Sequence, residues 1–236
     1  MSSKKRSTKL RYIRRPLSRR SRRAITLLIG LLLAAMVLGQ RSCRLHRNDS
    51  PPQSPTTHTT DRLRYHHKTC TVVNVVDGDT LDIDLPDADK PLTRIRLWGV
   101  DTPETKHPQG DVMYWGPQAS DFARQFVLGK KVMIALEPTR NSRGKYGRLL
   151  AYVYRIKPDG SATPTLMLNE QLIAQGHGYA DERFNHVLKR RFERLQNEAQ
   201  AEQRGLWKNV TPKQWPQWYR RRHDPAYTPQ ERPDTN

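Results

Sequence analysis

Residues 94–105, RIRLWGVDTPET, combine an arginine with two closely spaced carboxylates. Asp101 and Glu104 flank a Thr-Pro pair, and Arg96 precedes the first of them by five positions. The proline fixes its own φ and favours an extended conformation for the preceding residue, so the separation of the two carboxylates is held rigid. A metal ligand beside a general base needs such a fixed separation.

Residues 76–80, VDGDT, add the carboxylates of Asp77 and Asp79 one loop earlier. Taken singly, these features have ordinary explanations: Asp-Gly is a common hairpin turn, an acid three positions after a cap residue often starts a helix, and Arg96 could simply pair with Asp79 or Asp101. Taken together they suggest a hard cation beside a phosphate. Calcium and magnesium take oxygen ligands, above all carboxylates, and a guanidinium fork matches two phosphate oxygens.

A polar loop over residues 138–147 leads into a further basic group, Arg148. The sequence GKYGR, residues 144–148, spans the end of this loop and Arg148, and it contains Lys145 and Tyr146. An exposed basic turn is the usual fate of such a sequence. The functional alternative makes Arg148 a second phosphate clamp, with Lys145 and Tyr146 facing a substrate.

Hydrophobic periodicity predicts the elements that must position these groups. Strands are expected at residues 71–76, 81–85, 92–100, 131–137 and 148–156, and helices at 117–129, 166–175 and 188–205. Five short strands with three helices indicate one α+β domain of about 140 residues. We place it at residues 67–208, with a five-stranded barrel of the OB type as its natural closure.

The net charge of +19 is concentrated at the N-terminus. Residues 1–48 carry 14 Lys and Arg and no acid, which leaves 28 basic against 23 acidic residues, or +5, for the remainder. Residues 24–39 follow as sixteen uncharged positions, between the length of a signal-peptide apolar region and that of a spanning helix. By the positive-inside rule, the excess of positive charge before this segment predicts a cytoplasmic N-terminus and export of the rest.

These features predict the organisation of the whole chain. It comprises a basic cytoplasmic tail (1–23), a transmembrane or signal segment (24–39), a linker (40–66), the folded domain and a loosely held, Pro-, Arg- and aromatic-rich tail (209–236). A membrane anchor is favoured over a cleaved signal, and a monomer is expected. The two cysteines, Cys43 and Cys70, could form a disulfide in an exported protein or remain two unpaired thiols.

Six ordered blocks resemble the staphylococcal (thermonuclease-like) nuclease family. They are VVDGDT, RLWGVDTPETKHP, YWGPQAS, GKYGRLLAYVY, LNEQLIAQG and EAQAEQRGLW, between about residues 72 and 207. The resemblance implies an OB-fold barrel with three helices and a Ca²⁺-dependent phosphodiesterase acting on DNA and RNA, which cleaves the 5′ P–O bond and leaves 3′-phosphate ends.

The resemblance also implies a role for each matching residue. Asp79, Asp101 and the backbone carbonyl of Thr102 would bind calcium, with Asp77 in the outer shell. Glu104 would take a proton from the attacking water. Arg96 and Arg148 would hold the scissile phosphate.

One departure concerns a pair of tyrosines that the family often presents to the nucleotide. Here the corresponding segment, residues 176–181, has one tyrosine, Tyr179, as a candidate substrate contact. The competing hypothesis is a non-catalytic nucleic-acid-binding copy of the fold. Such a copy should have lost ligands or arginines, and this chain retains them.

Overall fold

The computed structural model describes residues 55–105, 112–138, 141–157, 159 and 161–228. The strands in these ranges are β1 (Thr69–Asp77), β2 (Thr80–Ile83), β3 (Thr93–Leu97), β4 (Val100–Asp101), β5 (Lys131–Ala135), β6 (Leu149–Ile156), β7 (Pro164–Met167) and β8 (Tyr179–Ala180). The α-helices are α1 (Pro55–Tyr65), α2 (Gly116–Val127), α3 (Leu168–Ala174), α4 (Lys189–Ala201) and α5 (Gln217–His223), with 3₁₀ turns at Gly205–Lys208 and Pro212–Gln214.

Five of the strands close into a barrel. Antiparallel pairing joins β3, β2, β1, β5 and β6 in that order, and parallel pairing of β3 with β6 completes the ring. β7 extends the sheet beyond β6, and β4 pairs with β8 in a separate two-stranded sheet. The five-stranded barrel with helices agrees with the predicted OB-type closure.

Side-chain alternation on β3 separates the core from the site. Ile95 and Leu97 are buried inside the barrel, while Arg94 and Arg96 point to its outer face. The strand expected at residues 92–100 ends earlier than predicted, because Gly99 has a φ of 75° and divides it into β3 and β4. A Cβ at this position would lie 2.6 Å from the His186 ring, so only glycine fits there.

The linker predicted at residues 40–66 needs correction at its C-terminal end, where the structure has α1. Tyr65 is fully buried, and Asp61, 5% exposed, pairs with Arg143 at 2.7 Å. These long-range contacts hold a polar segment as a helix that its own sequence did not predict.

The C-terminal segment (residues 209–228) also differs from the loosely held tail expected there. Tyr219 is 3% exposed and joins Tyr179 and Leu206 in a buried, mainly aromatic cluster, called the buried aromatic cluster below. In the described ranges, the helices are too short or too polar to span a membrane. The predicted membrane segment, 24–39, and Cys43 lie outside those ranges, whereas Cys70 is buried in the core.

Candidate active site

The turn between β1 and β2 meets the start of the DTPE sequence at Asp79. The Asp79 Oδ2 accepts hydrogen bonds from the Thr102 backbone N–H at 2.7 Å and from the Thr102 hydroxyl at 3.0 Å. Gly78 allows this approach, since a Cβ there would lie 2.7 Å from the Thr102 Oγ1. Two segments more than twenty positions apart are therefore locked together through one buried carboxylate.

Arg96 lies between two carboxylates and pairs with both. Its guanidinium contacts Asp79 through Nη1 and Asp101 through Nη2. The register of β2 and β3 sets up this contact, because Arg96 pairs with Thr80, the residue after Asp79. Asp79 is 2% exposed, and a charge so deeply buried needs a partner. The ordinary explanation for Arg96, an ion pair, is thus observed, and it brings Asp79 and Asp101 within reach of a single cation.

The carboxylates around Arg96 differ in the direction in which their pKa values are shifted. Partial burial and the neighbouring Asp77 and Asp101 raise the pKa of Glu104, although Arg96 and Arg148 oppose the rise. Burial also raises the pKa of Asp77, again against Arg96. For Asp101, burial is outweighed by the guanidiniums beside it, so its pKa is lowered. Environments that push neighbouring pKa values apart are typical of acid–base sites.

Arg148 completes a pair of neighbouring cations. Its Nη1 donates to the Thr80 hydroxyl at 3.2 Å. Within the part of the chain that the structure describes, Arg148 forms no ion pair. Burial lowers the pKa of Arg148, and the positive charge of Arg96 lowers it further. Two guanidiniums held close together form a site that an anion would stabilise.

The comparisons with known proteins give this cluster a family. A model described as staphylococcal nuclease homologue matches residues 94–209. The thermonuclease of Staphylococcus hyicus is 35% identical over 145 residues, which are 61% of this chain and 78% of that protein. The thermonuclease of Staphylococcus intermedius is 36% identical over 136 residues, or 58% and 74% of the two chains. An uncharacterized endonuclease of Escherichia coli is 35% identical over 143 residues, or 60% and 78%.

The chain belongs to the staphylococcal nuclease family. For this nuclease homologue, the expected ligands Asp79, Asp101 and the Thr102 carbonyl form a set of oxygen donors, the kind that calcium prefers. No group of three or more His, Cys, Asp or Glu side chains suited to a metal converges among the described residues. The expected set needs only two carboxylates, and the guanidinium that contacts both shows that they accommodate positive charge between them. The residues therefore fit a hard cation.

The nuclease homologue places the loop residues Lys145 and Tyr146 beside Arg148. The Lys145 ammonium lies 4.7 Å from the centre of the Tyr146 ring, and the Arg148 guanidinium lies 5.7 Å from it. Tyr146 is 71% exposed, so its ring is accessible next to the cation pair. Tyr179, in contrast, is 1% exposed and packs against Trp207 at 5.1 Å. The prediction that Tyr179 contacts substrate is wrong, because its ring is part of the core.

Sequence reasoning missed two residues that contact Asp101. Arg183 approaches the Asp101 Oδ1 at 3.2 Å, and the Trp218 indole N–H donates to the Asp101 Oδ2 at 2.7 Å. Arg183 lies two positions after residues 176–181, the segment that departs from the family pattern, and this proximity was the only sequence signal for it. Nothing local pointed to Trp218, which lies 117 positions from its partner.

Proposed function

We propose that this staphylococcal nuclease homologue is a Ca²⁺-dependent endonuclease that hydrolyses phosphodiester bonds of DNA, RNA or both. The observation that carries the proposal is the proximity of Asp79, Arg96, Asp101, Glu104 and Arg148 to one another outside the barrel core. Phosphodiester hydrolysis needs a general base and positive groups that stabilise the developing negative charge. The site offers a carboxylate with a raised pKa, two guanidiniums and a pair of carboxylates that fits a cation. The family assignment supports the same reaction.

The cation would be held by Asp79, Asp101 and the Thr102 carbonyl, with Asp77 outside this set. When bound, calcium would neutralise negative charge on the phosphate and polarise its oxygens. Asp79 is already fixed by two hydrogen bonds from Thr102, so the ligand geometry is built before the cation arrives.

Arg96 and Arg148 bind and orient the scissile phosphate. Because Arg148 forms no ion pair in the described ranges, it is ready to take an anion. Arg96 pairs with Asp79 and Asp101, and with a cation held by those carboxylates its guanidinium would be available to the phosphate. The two guanidiniums then stabilise the charge that grows on the phosphoryl oxygens, at about 2.7–4 kcal/mol for each well-placed donor.

Glu104 takes a proton from the attacking water. The water oxygen bonds to phosphorus as the bond to the 5′ oxygen breaks, and the departing 5′ oxygen gains a proton from solvent. The products are a 3′-phosphate and a 5′-hydroxyl. The raised pKa of Glu104 suits this step, because a base whose pKa is closer to the working pH accepts a proton more effectively.

The proposal is tested by hydrolysis of single-stranded DNA by the purified full-length protein, with calcium or with EGTA. We expect cleavage with calcium only, and a loss of about 10²–10⁴-fold in rate for Glu104→Gln, the usual contribution of a general base. Glu198→Gln is the control, since Glu198 is exposed on α4 away from the described cluster. Cleavage that survives EGTA would contradict the calcium assignment, and an unchanged rate for Glu104→Gln would contradict its role as base.

The location of the enzyme is a further part of the proposal. Residues 24–39 anchor the chain in a membrane with the basic N-terminus in the cytoplasm, and the nuclease domain lies outside the cytoplasm as a monomer. The charge distribution of residues 1–48 supports this orientation. Export also suits calcium use, because extracellular calcium sites work with weak affinity, about 10⁻⁴–10⁻³ M.

A further inference from the structure

The two oxygens of Asp101 have different partners. Arg96 and Arg183 both contact Oδ1, while the Trp218 indole N–H donates to Oδ2 at 2.7 Å. A carboxylate oxygen has two lone pairs, and the indole uses one of those on Oδ2. Oδ2 therefore keeps a lone pair for a cation, in a direction that the indole determines.

Trp218 is held in place independently of Asp101. Its neighbour Tyr219 is 3% exposed, and the Tyr219 hydroxyl accepts a hydrogen bond from the Gln200 side chain at 2.9 Å. The Tyr219 ring packs against Tyr179 at 4.9 Å and Trp215 at 5.3 Å. The buried aromatic cluster anchors the C-terminal segment, so the indole is positioned before it meets the carboxylate.

Arg183 fixes the other side of the indole. Its guanidinium lies 4.7 Å from the centre of a Trp218 ring, a cation–π contact, and pairs with Asp181 at 2.8 Å. Asp181 is 5% exposed, so this pair is itself held by burial. The indole is thus confined between the aromatic cluster and a fixed guanidinium, and its N–H has little freedom to leave Asp101.

We propose that Trp218 is a positioning residue that orients the Asp101 carboxylate for the catalytic cation. The inference rests on the proposed calcium-dependent function. An indole is well suited to this role, because it donates one directional hydrogen bond and adds no charge that would compete with the cation. Partners that orient metal-binding carboxylates typically contribute about 10–100-fold in metal affinity. Trp218 lies beyond residues 94–209, which the family model covers, so this chain supplies it from its own C-terminal segment.

The test is calorimetric titration of calcium into the full-length protein without nucleic acid, for wild type, Trp218→Phe and Trp215→Phe. Phenylalanine keeps an aromatic ring beside Arg183 and removes the N–H. Trp215→Phe is the matched control, because the Trp215 indole nitrogen is buried in the same segment with no hydrogen-bond partner in the described structure, and phenylalanine keeps an aromatic ring against Tyr219. We expect calcium binding to weaken by about 10–100-fold in Trp218→Phe and to stay at the wild-type value in Trp215→Phe.

Two further measurements separate orientation from a structural effect. The nuclease activity of Trp218→Phe should return towards the wild-type rate at saturating calcium, since the loss is in affinity. In the wild-type protein, the Trp218 indole N–H resonance should shift on addition of calcium while that of Trp215 stays in place. The resonance measurement needs no variant, so it decides the question even if Trp218→Phe does not fold.

Equal calcium affinity in the two variants would overturn the proposal. Tighter binding in Trp218→Phe would overturn it as well, because the indole would then be competing with the cation. An unmoved Trp218 resonance at saturating calcium would have the same consequence. Absence of calcium binding to the wild-type protein would instead refute the calcium-dependent function, and the present proposal with it.

Discussion

The contrast between Arg96 and Arg148 gives the sharpest test of the site. Both are expected to bind phosphate, yet only Arg96 is tied into buried ion pairs, with Asp79 and Asp101. We compare Arg96→Met with Arg148→Met. Methionine keeps an apolar stem and removes the charge in both cases, so the variants differ only in what the guanidinium contacted. Each should lower the rate of DNA hydrolysis by about a hundredfold or more.

Their stabilities should differ. The Arg96, Asp79 and Asp101 side chains are 15%, 3% and 15% exposed, and removing one partner of a buried ion pair costs about 3–5 kcal/mol. Thr102 still donates to Asp79, and Trp218 still donates to Asp101. The loss in the free energy of unfolding should therefore lie at the lower end of this range, about 3 kcal/mol. For a domain of this size that loss lowers Tm by about 6–12 °C. Arg148→Met should change the free energy of unfolding by less than about 1 kcal/mol, because no buried ion pair is broken.

Calcium should reverse the difference. In Arg96→Met, Asp79 and Asp101 no longer have a guanidinium between them, and a bound cation would supply the missing positive charge. A ligand that binds only the folded state raises the stability of that state. Thermal unfolding followed by circular dichroism, in EGTA and in calcium, measures both effects. Equal Tm values for the two variants in EGTA would refute the assignment of Arg96 as the charge that balances these carboxylates. An equal calcium-induced rise in Tm for wild type and Arg96→Met would refute competition between Arg96 and the cation.

Two further predictions concern pH and location. Burial lowers the pKa of His186 to about 4, so its neutral form is favoured in the folded state, and stability should fall as pH drops through 6.5 towards 4. Urea denaturation at pH 7 and at pH 5 should show a loss of stability to which His186 contributes about 2 kcal/mol, and the loss should shrink by that amount in His186→Gln. Parallel pH profiles for the two proteins would contradict this. Deletion of residues 24–39 should move the protein from the membrane pellet to the supernatant after carbonate extraction, and a pellet that is unchanged would contradict the anchor.

The barrel and the centre of the site were accessible from sequence because their determinants are local. Alternation along β3 places Ile95 inside the barrel and Arg96 outside, and hydrophobic periodicity reports this directly. The DGD and DTPE sequences carry the glycine and the proline that fix their own backbones. Strand pairing then has few ways to arrange such segments, so Asp79 and Asp101 come together in the structure as expected.

The errors share a different cause. The polar segment before Tyr65 forms a helix because Arg143, more than eighty positions away, pairs with its Asp61. Tyr179 was predicted to contact the substrate, but its ring is buried against those of Trp207 and Tyr219. In both places the local sequence is compatible with two environments, and long-range packing decides between them. Propensity and periodicity carry no information about such contacts.

The C-terminal segment shows why this limit matters for function. The family match ends at residue 209, and every group expected to touch the phosphate or the cation lies before that position in the chain. The hydrogen bonds that orient those groups do not end there, since Asp101 is held by Trp218 from outside the matched region. A protein truncated after residue 209 would retain all the expected ligands and lose one determinant of their geometry. Partners that orient metal ligands typically contribute about 10–100-fold in metal affinity, so the proposed role of Trp218 extends the functional unit of this nuclease to α5.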